Sequence, residues 1–206
     1  VRTGDRLAIR ATKHAERGDP NAVAIHVENR SDGIVVCVRY PPDSNRACGT
    51  RDGWHGHNDS DDNDTVVDFD VTVPHGIVLG AHTVNGSVDA INDGPAGASA
   101  VNGSVSLEAR DVHSAQTVNG SVSVRVLDRT RGALAANTVN GAIDVTLPEG
   151  TGVELDARSL TGDISAAGVS VVRPRWGPGA RARATLGDGA RRIDLHTVNG
   201  SITLKR

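Results

Sequence analysis

Hydrophobic and polar residues alternate in short runs that restart at a recurring four-residue signal. Asp89 separates Val88 from Ala90, Ser106 separates Val105 from Leu107, and Ser123 and Arg125 punctuate Val122, Val124 and Val126. The same period continues in Ile143, Val145 and Leu147, in Ile164 and Ala166, and in Ile202 and Leu204. Period-two alternation puts one face of an extended segment in a core and the other in water, so each run predicts a half-buried β-strand. Each run begins just after Thr-Val-Asn-Gly, at 83–86, 117–120, 138–141 and 197–200, or after the variants Ala-Val-Asn-Gly at 100–103 and Ser-Leu-Thr-Gly at 159–162. Gly86, Gly103, Gly120, Gly141, Gly162 and Gly200 are spaced 17, 17, 21, 21 and 38 residues apart. The last spacing is twice 19, which predicts one degenerate repeat between Gly162 and Gly200.

A second, shorter alternation precedes each signal: Leu79/Ala81, Ala96/Ala98, Leu134/Ala136, Leu155/Ala157 and Ile193/Leu195 occupy matching positions. Each repeat therefore offers at least two strands meeting at an Asn-Gly corner, and both residues tolerate the positive φ such a corner demands. Asn-Gly between alternating strands also signals an antiparallel hairpin, so an up-and-down sheet or sandwich competes. Near-constant spacing with the same corner favours stacking of equivalent residues. The expectation is an all-β, β-helix-like solenoid of stacked 17–21-residue coils, with a less regular β region before it. Asn85, Asn102, Asn119, Asn140 and Asn199 would form an amide ladder, and Thr83, Thr117, Thr138 and Thr197 a second one.

Residues 1–75 read as that irregular β region and 76–206 as the repeat array continuous with it. Thr3 to Ile9 resembles a degraded copy of the motif, 22–28, 33–39 and 65–73 read as strands, and 11–18 as a turn of helix. Residues 41–64, dense in Gly, Asp, Asn and Pro, read as a long surface loop. Composition sharpens the picture: one Phe, one Tyr, two Trp and no Met leave Val, Ile, Leu and Ala to fill a thin interior. A net charge of −3 with interspersed signs offers no broad basic field for nucleic acid or an anionic membrane. The basic cluster from Arg173 to Arg192 reads as a solvated face. No apolar stretch is long enough for a membrane-spanning helix. Without an initiator Met or a signal-peptide pattern, the chain reads as a mature or trimmed form.

Cys37 and Cys48 flank a Pro-Pro turn and a polar loop. A disulfide closing so short a loop contributes about 3 kcal/mol and implies an oxidising compartment; two buried free thiols are the alternative. Asp59, Asp61 and Asn63 have the alternate-residue oxygen spacing of calcium loops, with Asp70 at the twelfth position. Asp64 stands where a calcium loop needs Gly, so the segment is either a simple Ca²⁺ site, a solvated acidic loop, or a transition-metal site at His55 and His57. No other cofactor is expected. Ser87, Ser104, Ser121 and Ser201 are outward repeat positions, and His82, His113 and His196 precede the motif on one side. No nucleophile elbow marks a catalytic serine, so no catalytic residue is assigned. Trp176, between Arg175 and Gly177, is either an interface anchor or a cover for the core.

The Thr-Val-Asn-Gly-Ser-Val copies resemble the bacterial β-strand-repeat adhesin-like family, a domain of unknown function. They follow an entry strand of Val66, Asp68, Asp70 and Thr72 that ends in Val73-Pro74-His75-Gly76-Ile77. The resemblance covers 65–206 well and 1–40 loosely. It implies a β-solenoid, a bacterial envelope or extracellular location, and no catalytic residue. Open solenoid ends, at Leu7 and Ile9 and at Ile202 and Leu204, would allow head-to-tail self-assembly into a filament. A monomeric adhesin-like module binding a surface glycan or protein is the alternative, and a hydrolase on a β-helix is a third class with no acid cluster or Ser–His pair to support it.

Overall fold

The computed structural model describes residues 1–41, 47–48, 63–175 and 178–206. The strands in chain order begin with β1 (Arg2–Thr3), β2 (Ala8–His14), β3 (Ala24–Arg30), β4 (Gly33–Arg39) and β5 (Val66–Val73). Next come β6 (Leu79–His82), β7 (Val88–Ser99), β8 (Val105–Gln116), β9 (Val122–Val126), β10 (Gly132–Asn140) and β11 (Ile143–Thr146). The last are β12 (Val153–Thr161), β13 (Ile164–Ala166), β14 (Val171–Val172), β15 (Ala180–Leu186), β16 (Arg191–Asn199) and β17 (Ile202–Lys205). A 3₁₀ turn at Pro20–Ala22 is the only helical element among the described residues, and no helix there is long and apolar enough to cross a membrane. Two compact units emerge: Val1–Ala8 with Val71–Arg206, and Ile9–Asp70.

In the larger unit the strands that follow each glycine lie parallel and in register. Val88 pairs with Val105, Val105 with Val122, Val122 with Ile143, Ile143 with Ile202, and Ile202 with Ile164. All six side chains are buried. The strands that precede each corner form a second parallel set, in which Ala81, Ala98, Ala115, Ala136, Leu195 and Ala157 are successive partners. The 12-residue strands β7 and β8 run through both sets, and the inward side chains of the two merge in one cluster of Val, Leu, Ile and Ala. Small residues opposite branched ones allow the layers to pack without aromatic side chains.

The expected solenoid is not the architecture. The strands form one large mixed sheet, in the order β13-β17-β11-β9-β8-β10-β16-β12-β15-β14, doubled over in a sandwich-like β fold. The last repeat is not at an end: β16 lies between β10 and β12, and β17 between β11 and β13. The 38-residue interval holds no degenerate coil either. Its β14 and β15 are antiparallel, with β15 running from Ala180 opposite Ser159 to Leu186 opposite Val153. Alternation dictates which face of a strand is wet, but near-identical copies do not dictate which copy lies beside which.

Other N-terminal expectations shift as well. Thr3 belongs to the two-residue β1, which pairs with Thr72 and Val73 of β5 and with Ile91, so 3–9 forms no copy of the motif. Residues 11–14 are strand, not helix. In the smaller unit β3 and β4 are an antiparallel hairpin in register from Ala24 opposite Arg39 to Arg30 opposite Gly33. Cys37 on β4 is disulfide-bonded to Cys48, with 5.9 Å between their Cα atoms. The Glu28 carboxylate accepts from Arg30 and from the Cys48 amide at 2.5 Å, and the Arg30 hydrogen bond first of all holds its pKa below the ordinary value.

Candidate functional site

The corners assemble into a ridge of six rungs. Parallel bridges join Asn85 to Asn102, Asn102 to Asn119 and Asn119 to Asn140, and the register continues through Asn199 to Thr161. At the usual strand spacing, six rungs extend about 24 Å. The side-chain amides form a chain with one direction: Asn102 Nδ2 donates to Asn85 Oδ1 at 3.0 Å, and Asn119 to Asn102, Asn140 to Asn119 and Asn199 to Asn140 at 2.8 Å each. Thr161, which replaces Asn in the variant copy, donates its hydroxyl to Asn199 Oδ1 at 2.8 Å and ends the chain. A carboxamide can donate to the preceding rung and accept from the following one through a single short uncharged side chain.

The threonines do not form the expected second ladder. Each hydroxyl instead reaches back to the glycine carbonyl of the preceding rung: Thr117 to Gly103 at 2.7 Å, Thr138 to Gly120 at 2.9 Å and Thr197 to Gly141 at 3.0 Å. Ser159 does the same to Gly200 at 2.8 Å. Among the described residues the Thr83 hydroxyl, in the first rung, makes only its local bond to the Asn85 carbonyl, and Ala100 supplies no hydroxyl to Gly86. Buried hydroxyls need partners, and the corner carbonyl is what lies within reach.

Beside the amide chain runs an apolar row. Val101, Val118, Val139, Val198 and Leu160 are each between 37% and 51% exposed, and Val84 is half-buried. These valines sit between an inward Thr (Ala at 100) and an outward Asn, so the corner geometry itself turns them outward. A contiguous exposed aliphatic row beside a polar rim is the kind of surface that marks binding.

The basic cluster is a solvated face, as expected, except at Arg191, and its exposed Arg173, Arg181, Arg183 and Arg192 are paired with carboxylates. Arg181 and Arg183 contact Asp156 at 3.5 and 2.8 Å, Arg173 pairs with Asp163, and Arg192 meets Asp194 at 3.0 Å. Asp156 also accepts two hydrogen bonds from Arg158, which first of all depress its pKa far below the carboxylate range. Arg191 is only 1% exposed. Its guanidinium reaches the Asp111 carboxylate and the Val112 carbonyl at 2.7 Å each, and the Thr130 hydroxyl. Extending the inward alternation of Ile193 and Leu195 back by two residues would have placed Arg191 inside. Charge density hid that signal.

Asp59, Asp61, His55, His57 and Trp176 lie outside the described residues. Asn63 uses its side-chain oxygen on the Thr65 amide and its nitrogen on the Asp19 carbonyl, and Asp70 is an exposed position of β5. No group of three or more His, Cys, Asp or Glu that could hold a metal occurs among the described residues. Of the expected assembly ends, Ile202 and Leu204 are buried in β17 between two neighbouring strands, so they are not an end; Leu7 is exposed and Ile9 half-buried. His82 Nδ1 and Ser99 Oγ are 2.8 Å apart on the surface, a Ser–His pair that sequence reading missed. No carboxylate bonds that ring among the described residues, so the orienting third member of a nucleophilic triad is missing there. His196 shares the His82 row through Ser99, Gln116 and Asn137, whereas His113 stands at a register shift and packs over Gly97.

No family model matches the chain, and no curated protein matches it in sequence. Among solved structures it is similar to the crystal structure of a "putative cell adhesion protein" from Clostridium sporogenes ATCC 15579. The TM-score is 0.51 at 12% identity, over 99% of this chain and 85% of that one. At that identity the likeness concerns the fold.

Proposed function

We propose that the protein is a non-enzymatic, adhesin-like binding module of the bacterial cell surface or extracellular space, and that its Asn-Gly ridge meets a protein partner. The observation that carries this reading is the exposed row of Val101, Val118, Val139, Val198 and Leu160 beside the amide chain. Aliphatic side chains on a rigid backbone suit a protein surface better than a sugar, whose faces commonly stack on aromatic rings. The cell-adhesion name of the structural neighbour and the motif resemblance support the same direction. The Cys37–Cys48 disulfide supports an oxidising location.

Self-assembly is the second reading, and the edges of the sheet bear on it. Among the described residues β6 pairs only with β7, and β13 only with β17, so each keeps one side unpaired there. The other ends of the two parallel sets are covered, one by β1 on β7 and one by the antiparallel β15 on β12. Covered and short edges disfavour continuous head-to-tail growth.

The test is surface plasmon resonance of the purified chain against a panel of extracellular-matrix and bacterial surface proteins, repeated with V118K/V139K. A bound partner that is lost on charging the ridge supports the reading. Binding that survives the double substitution, or none across the panel, removes it. Sedimentation velocity across a wide concentration range addresses the second reading, where a constant monomer would end it.

A further inference from the structure

The ridge is built from a chemically fragile dipeptide. In Asn-Gly the glycine nitrogen can attack the preceding side-chain amide: a bond forms from that nitrogen to Cγ, the Cγ–Nδ2 bond breaks, and ammonia leaves with the displaced proton. Water then opens the cyclic imide to aspartate or isoaspartate. A hydrogen bond on the glycine nitrogen, a braced corner and a side chain held away from that nitrogen each slow the reaction.

In the interior rungs all three act together. The nitrogens of Gly103, Gly120, Gly141 and Gly200 donate to the next rung's carbonyl at 2.9–3.1 Å. The carboxamides of Asn102, Asn119, Asn140 and Asn199 are held at both ends, the last by Thr161. The backbone nitrogens of Asn102, Asn119 and Asn140 donate to Val84, Val101 and Val118 at 2.7–2.8 Å.

The first rung differs in three independent ways. Its Gly86 nitrogen is bonded like the others, to the Asn102 carbonyl at 2.9 Å, but no rung lies behind Asn85 among the described residues, and the Asn85 Nδ2 has no partner among them. The Gly86 carbonyl lacks the hydroxyl brace, because Ala100 stands where the later copies have Thr or Ser. Gly86 is exposed while Gly103, Gly120, Gly141 and Gly200 are half-buried. At the opposite end rung the residue is Thr161, which has no amide to lose.

We infer that Asn85 is a site of spontaneous deamidation, and that the ladder protects the other four Asn-Gly corners from the same reaction. The direction of the amide chain adds a consequence. Asn85 uses only its acceptor oxygen, so an aspartate there still receives the hydrogen bond from Asn102. An aspartate at Asn102, Asn119, Asn140 or Asn199 loses its donor and sets a carboxylate against the preceding amide oxygen. The product at 85 puts a negative charge on one end of the ridge with the ladder bond kept. Isoaspartate lengthens the backbone and disrupts that end alone.

The test holds the folded full chain at mildly alkaline pH and follows amide-to-acid conversion at each Asn-Gly by peptide mapping and mass spectrometry. One missing hydrogen bond is worth a factor of about five, so Asn85 should convert at least about fivefold faster than Asn102, Asn119 or Asn140. In denaturant the Val-Asn-Gly-Ser copies should convert at similar rates, which isolates the fold as the cause. A100T, which supplies the brace, should slow Asn85, and T161N should create a second fast site at the far end. Asn85 converting no faster than Asn119 in the folded chain, or at an unchanged rate in A100T, overturns the inference. N85D should unfold at the wild-type midpoint and N119D at a lower one. If N119D does not fold, the mass-spectrometric arm on the unaltered protein still decides.

Discussion

In Val71–Arg206 the inward side chains of two strand sets merge into a continuous Val, Leu, Ile and Ala cluster. Ile9–Asp70 buries only Val23, Cys48 and Thr65 among its described residues and carries the disulfide. The first unit gains stability from repetition, since each copy's inward residues meet the next copy's along the register. The second has no copy to lean on, and a unit that small needs a staple. Polar side chains do different work in the two. In the repeats they brace a corner many times over; in the hairpin one carboxylate, Glu28, ties Arg30 and the Cys48 amide together once.

Arg191 breaks that comparison most severely, because it places one buried charge inside the unit that otherwise relies on apolar packing. Replacing it with Ala removes the charge partner of Asp111, which keeps only the Thr130 hydroxyl among the described residues, takes a donor from the Val112 carbonyl and opens a cavity. We expect a loss of about 3–5 kcal/mol in urea unfolding, the range for breaking one partner of a buried pair. R191M, which fills the space without the charge, should recover part of it. A loss below about 1 kcal/mol would show that water replaces the guanidinium freely.

The disulfide is the next largest lever. Its half-cystines are 11 residues apart in sequence. C37S/C48S should cost about 3 kcal/mol by loop entropy. Amide exchange should quicken in β3 and β4 and stay unchanged in β8 to β11. Faster exchange in β8 to β11 would mean that the two units are not stabilised separately.

These two levers were unequally legible. Cys37 and Cys48 announced themselves by proximity, and the half-buried strands by the alternation of Val105, Leu107, Val122 and Val124. The corner asparagines were legible because five identical corners invite stacking. Neighbour order was not, because Val122, Ile143 and Ile202 fit the same slot equally well and alternation cannot tell one copy from another. The clue lay in the variant copy: Thr161 in place of Asn is what the last rung of a one-directional amide chain tolerates. The Thr braces were missed because repetition suggested that like pairs with like, whereas each hydroxyl's reachable acceptor is a backbone carbonyl. Arg191 was missed because a charge amid other charges reads as surface.

Within the repeat unit, interior and end rungs give a finer contrast. A Cβ on Gly120 would sit 2.3 Å from the Gly103 carbonyl oxygen, whereas one on Gly86 meets nothing nearer than 3.7 Å. Both have positive φ, +155° and +128°. G120A should therefore cost about 2 kcal/mol more than G86A, the overpacking term alone. Equal losses in thermal unfolding would attribute the whole effect to backbone strain and none to rung contact.

The smallest expected effect concerns pH and sits where Asp93 joins the turn after β5. Its carboxylate accepts from the Gly76 amide at 2.8 Å and from His75, with Asp5 3.9 Å from the other ring nitrogen. Hydrogen bonding to Asp93 holds the His75 pKa above its ordinary value, and the Gly76 amide, then His75, holds that of Asp93 below its own; Arg110 adds a weaker favourable field on Asp93. A raised histidine stabilises fully below its ordinary value of 6.5 and loses that contribution as pH rises through the folded value. A lowered aspartate stabilises above 3.8 and loses its contribution as pH falls through the folded value. The pair is therefore tightest between those two values, and the Gly76 amide should exchange more readily on either side after correction for intrinsic rates. Both groups are exposed, so the change is local and salt-sensitive. In H75Q the alkaline limb should vanish while the acid limb, which belongs to Asp93 and Gly76, persists; an alkaline limb that survives the substitution would assign it to another group.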